Sequence, residues 1–136
     1  MAGIEDGLKT LLDAESTLTA ICGTRIYPDK APQTAAFPQI VFTQLKSDEL
    51  NTLDGGADVR SIDLDFDCRA NRSVTAVSLR TALRDYIRDF TGSAGTETIN
   101  SVTVNGDAAD YEPPVDGSDN GVFVKTLDVQ IHYTPA

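Results

Sequence analysis

The chain has 136 residues, 40% hydrophobic and 24% charged, the proportions of a single soluble domain with one core. Its formal charge of −10 argues against nonspecific binding to nucleic acid, whose phosphates need a positive surface. No apolar run approaches the roughly 20 residues of a membrane span, and the acidic opening Met1-Ala2-Gly3-Ile4-Glu5-Asp6 is unlike a signal peptide, so synthesis and assembly in a cytoplasm are expected, with no membrane partner.

Residues 4–12 read as an amphipathic helix with Ile4, Leu8, Leu11 and Leu12 on one side and acids in its first turn, where the helix dipole favours them. Gly7 is expected to weaken it by ~1 kcal/mol. A short helical piece over 15–22 stops at Gly23, and 25–27 form a brief strand ended by Pro28. A loop over 29–36 follows, then a strand over 40–46. The polar, acidic stretch 47–58 reads as a long loop, either mobile or used for docking through Asp48, Glu49, Asp54 and Asp58.

The stretch 60–90 organises the chain. Ile62, Leu64, Phe66, Cys68 and Ala70 alternate with Asp63, Asp65, Asp67 and Arg69, which requires a half-buried strand. After Asn71 the period becomes helical, and Ala76, Leu79, Leu83, Tyr86, Ile87 and Phe90 share a core-facing stripe over 73–90. Asn105-Gly106-Asp107, between apolar-containing runs at 99–104 and 108–112, is a hairpin signal. A turn-rich loop at 116–121 leads into a closing strand over 122–133, with Phe123, Leu127, Val129, Ile131 and Tyr133 on one face. These elements make one α+β domain over 1–136, an antiparallel sheet with two principal helices packed on one face.

Catalytic and metal chemistry find little footing. Asp63, Asp65 and Asp67 lie about 6–7 Å apart along one strand face and have the residue type for a divalent ion and phosphoryl transfer. The spelling resembles an EF-hand loop, but Cys68 and Val74 stand where that loop needs glycine and glutamate. A solvated strand face is the plainer reading, as is a plain turn for Asp116 and Asp119. Cys22 and Cys68 read as buried reduced thiols rather than a disulfide or metal pair. His132, the only histidine, falls on the polar side of its strand, and there is no nucleophile elbow, dinucleotide fingerprint or phosphate loop. No enzyme activity and no cofactor are expected.

Charge placement says more. Residues 60–90 hold six of the eleven basic residues and five of the twenty-one acids, leaving the remainder strongly negative. On the outward side of the main helix, Val74, Val77, Arg84 and Arg88 cluster with Arg80 alongside, and arginine among apolar residues is an interface composition. The plainer alternative is a solvated face with Arg84 and Arg88 bridging Asp85 and Asp89. Acidic strand and basic helix on one subunit suit head-to-tail association of copies.

The order of short motifs is Leu18-Thr19-Ala20-Ile21, Arg25-Ile26-Tyr27-Pro28, Phe37-Pro38-Gln39-Ile40-Val41-Phe42, the acid-alternating strand, the helix and a long closing strand. This order resembles the tail-terminator (tail-completion) proteins of long-tailed bacteriophages and prophages. The resemblance implies a non-catalytic virion protein, forming a hexameric ring, in solution or only on the tail. The ring would cap the tail tube, stop its polymerisation and meet the head connector, with the major tail tube protein and connector proteins as partners. DNA would pass through without specific binding, along a channel lined by Asp63, Asp65 and Asp67. Other neck components share the general fold and are the alternative, with a metal-dependent phosphoryl-transfer enzyme behind them.

Overall fold

Apolar residues at 4, 8 and 12 give the first helix, α1 (Ile4–Asp13), which buries Ile4, Leu8 and Leu12 completely or nearly so. It is followed by α2 (Ser16–Cys22), where Glu15 accepts a hydrogen bond from the Thr17 N–H as the N-cap and Gly23, at φ 61°, turns the chain away. The strands are β1 (Ile26–Pro28), β2 (Gln39–Leu50) and β3 (Val59–Ala70); helix α3 (Ser73–Ile87) precedes β4 (Gly92–Ala94), β5 (Glu97–Glu112) and β6 (Val122–Thr134). The computed structural model describes residues 4–23, 25–29, 36–50, 59–88, 90–95, 97–113 and 121–134, and of residues 46–50 and 59 the backbone alone. The possible turn at Asp116 and Asp119 lies outside them.

The six strands form one sheet in the order β1-β2-β3-β6-β5-β4, antiparallel throughout except for the parallel β1–β2 pair. All three helices pack on one face. Ile62, Leu64, Phe66 and Cys68 from β3 and Leu127, Val129 and Ile131 from β6 meet Leu79, Leu83 and Ile87 of α3 in a fully buried core. Phe42 and Phe66 lie side by side there, ring centroids 5.6 Å apart.

Helix α1 touches both edge strands. Lys9 Nζ donates to the Ile26 carbonyl of β1 (2.9 Å), and Gly7 lies against Ala94 and Gly95 at β4. A ten-residue helix is about 15 Å long, while six strands span about 24 Å. The sheet therefore curls around the helix.

Several expectations are corrected. Gly7 is no mere weak point: a Cβ there would lie 2.8 Å from the Ala94 carbonyl carbon, and one on Gly95 would lie 2.9 Å from the Gly7 Cα. The helix needs a residue without a side chain at this crossing. Asn105-Gly106 makes no hairpin. Strand β5 runs through it and stays paired to β6 from Thr98 to Glu112, with Asn105 as an extra residue where the register steps from Val104↔Val129 to Gly106↔Asp128. Gly and Asn serve a bulge as well as a turn, and the long partner β6 keeps both halves in one ladder. Residues 47–50 belong to β2 rather than a loop, since Ser47 pairs with Ile62 and Leu50 with Val59. The helical piece expected over 15–22 is the regular helix α2, whereas the β1–β2 pair is parallel in a sheet expected to be antiparallel.

Candidate functional site

The face of the sheet away from the helices is polar because β3 alternates. Asp63, Asp65 and Asp67 are all half-buried on it. Opposite them on β6 stand Gln130, Asp128 and Thr126. Asp65 therefore faces a second carboxylate, Asp128. Burial, then Asp128, then Asp67 raise its pKa above the ordinary 3.8. Asp67 is better provided, accepting the Thr126 hydroxyl at 2.9 Å. Gly106 and Ala108 bring no bulky side chain to this face. A hollow of about 280 Å³ opens beside Asp65, Thr126 and Asp128. The sequence reading missed Asp128, although its place opposite the apolar positions 127, 129 and 131 was the available signal.

Among the described residues no three carboxylate, histidine or cysteine side chains come together as a metal site. Cys22 and Cys68 are free and buried, and burial is the first cause raising both thiol pKa values. His132 Nδ1 lies 3.1 Å from the Ser101 hydroxyl on the neighbouring strand.

On α3, Val74 is 72% exposed and Val77 36%, while Arg84 and Arg88 are exposed. Arg80 differs: it is half-buried and approaches Asp107 of β5 at 3.8 Å. That contact places the arginine flank of α3 on the β5 side. On the other flank α3 packs against α2, leaving a groove of about 630 Å³ lined by Glu15, Thr17, Val77, Thr81, Asp85 and Tyr86. The partner Asp89 expected for the arginines lies outside the described residues.

Near β1 three carboxylates gather, with Lys9 and Arg25 close by. Asp29 follows β1, its N–H bonded to the Phe42 carbonyl at 2.8 Å. Glu5 has a raised pKa from burial first and then from the charges of Asp29 and Asp6, so these three carboxylates share one corner. Of the expected docking acids, Asp48 and Glu49 sit in β2 opposite Ser61 and Arg60 rather than on a loop, and Asp54 and Asp58 lie outside the described residues.

A family model described as "Tail completion protein gp17" matches residues 7–133. No curated protein matches the chain. Among solved structures, a chain from the "Virion of native gene transfer agent (GTA) particle" is similar in fold, with a TM-score of 0.66 at 14% identity over 93% of this chain and 90% of that one.

Proposed function

The chain belongs to the tail completion protein gp17 family and is a structural protein of the phage tail, and from that premise we propose that copies of it close into a six-membered ring on the end of the tail tube. The ring stops tube growth and presents a surface to the head connector. Assembly takes place in the host cytoplasm and ends in the virion. No catalytic step belongs to this role.

The observation that carries the reading is the helix-free sheet face, which bears Asp63, Asp65, Asp67 and Asp128 and where burial, Asp128 and Asp67 raise the pKa of Asp65. A surface lined this way repels phosphates, so DNA passes along it without sticking. With ten negative charges per copy, six copies carry about sixty. Lateral contacts come from the outward stripe of α3, with Val74 and Val77 supplying apolar area and Arg80, Arg84 and Arg88 supplying charge.

The test is sedimentation of the purified chain alone and mixed with purified tail tubes, with tail lengths measured by electron microscopy in lysates lacking the protein. Co-sedimentation with tubes and overlong tails without the protein are expected. A chain that never joins a tube, in lysates whose tails keep normal length, contradicts the proposal.

A further inference from the structure

Two strand edges of this sheet face no strand among the described residues. On its outer side β2 is paired by β1 only at Ile40, Val41 and Phe42, and the Asp29 N–H to Phe42 carbonyl bond is the last along that edge. Beyond it, residues 43–50 pair inward with β3, and among the described residues no strand pairs with their outer side. At the other end of the strand order, β4 covers β5 only at Glu97, Thr98 and Ile99. From residue 100 onward no described strand pairs with the outer edge of β5, and the Tyr111 N–H donates to the Asp110 carboxylate at 2.8 Å. Rows of unpaired N–H and C=O groups are templates for another strand.

We propose that in the assembled ring the outer edge of β2 (43–50) in one copy pairs antiparallel with the outer edge of β5 (100–110) in the next copy, so that the sheet continues from subunit to subunit. The inference rests on the ring reading above and names the contact that builds it.

Strand direction makes the two edges complementary. The long strands β2, β3, β6 and β5 alternate in direction, so β2 and β5 run opposite ways. A rotation about an axis along the strands preserves direction, which sets β2 antiparallel to the neighbour's β5, like every other long pair. Because each copy contributes an even number of long strands, the alternation closes for any number of copies. At equal height along the axis Thr43 lies level with Gly106 and Asp48 with Ser101, so six residues are open on both edges and give a seam of about 20 Å at the usual rise per residue.

Charge is mixed on both flanks, so strand direction and not charge sets the order: Arg80 and the exposed Arg84 share the β5 side with Asp107, Asp110 and Glu112, while Glu5, Asp6 and Asp29 share the β1 side with Lys9 and Arg25. Each edge also carries a register irregularity, at 44/46 in β2 and at 104/106 in β5. Such bulges deter indiscriminate pairing.

Hydrogen exchange read by mass spectrometry tests this, comparing the full chain free at low concentration with the chain assembled on purified tail tubes. The outward-facing amides of 43–48 and 101–106, which alternate with those bonded to β3 and β6, should exchange quickly in the free chain and slow by an order of magnitude or more in the assembly. Assembly in which these two segments keep their free rates overturns the edge pairing and leaves the ring reading standing. Protection already complete in the free chain also overturns it. Failure to assemble on tubes removes the ring reading and this inference together.

Discussion

Replacing Gly7 with alanine sets two physical effects against each other. In an exposed helix interior the change favours the helix by about 1 kcal/mol. Here the new methyl group would meet the Ala94 carbonyl, its carbon 2.8 Å away, with the Gly95 nitrogen at 3.4 Å. Both neighbours are backbone, and Gly95 is held at φ 64°, so neither can swing aside as a side chain would. Restoring an ordinary carbon contact of ~3.5 Å requires α1 to retreat from β4 by at least about 0.7 Å. Leu8 and Leu12 would then lose part of their packing, and overpacking of this kind costs about 1–3 kcal/mol. The net expectation for Gly7→Ala is destabilisation by about 1–2 kcal/mol, a melting temperature lower by about 3–8 °C for a chain of this size. Thermal unfolding followed by circular dichroism reads it, with Thr10→Ala as the control. Thr10 is exposed on the same helix, its hydroxyl bonded only to the Asp6 carbonyl at 3.0 Å, and alanine there should be neutral or slightly stabilising. If Gly7→Ala raises the melting temperature as the control does, the close approach of α1 to β4 is wrong.

Asp65→Asn should raise stability at pH 7. A carboxyl whose folded pKa lies above its unfolded value makes a contribution that is complete below about pH 3.8 and lost as pH rises through the folded value. The gain from asparagine should therefore fade on acidification toward pH 4, as a pH series of denaturant melts would reveal. Phe66→Ala, in the fully buried ring pair with Phe42, should cost about 3–5 kcal/mol by the same measurement. Arg84→Glu should leave the melting temperature of the free chain within about 2 °C and weaken its recruitment to tail tubes; unchanged recruitment in a pull-down contradicts the lateral contact. Cys22 and Cys68 should resist a thiol reagent in the native chain and react on unfolding, and rapid native labelling would contradict their burial.

Sequence periodicity located what is decided locally. The strict alternation of β3 and the 3.6-residue stripe of α3 gave both elements and their buried faces, because each is set by which side chains must leave water. Local signals failed where a long-range partner decides the outcome. Asn105-Gly106 reads as a turn in isolation, yet the unbroken ladder with β6 turns it into a bulge. Residues 47–50 are polar and look like a loop, but pairing with β3 satisfies their backbone whatever their side chains are. Gly7 looks like a flaw in a helix until Ala94, eighty-seven positions later, occupies the space. At the candidate site the acid row and the arginine stripe were legible as patterns. That Arg80 turns to Asp107, that Asp128 joins the row and that Asp29 and Glu5 share a corner depend on which elements the fold sets side by side.

Copies arranged around a passage would be visible by cryo-electron microscopy of intact tail ends. A ring of six copies at the tube end is expected, with Asp63, Asp65 and Asp67 facing the lumen and the helices outside. A ring whose helices line the passage, or a single copy at that position, would contradict it.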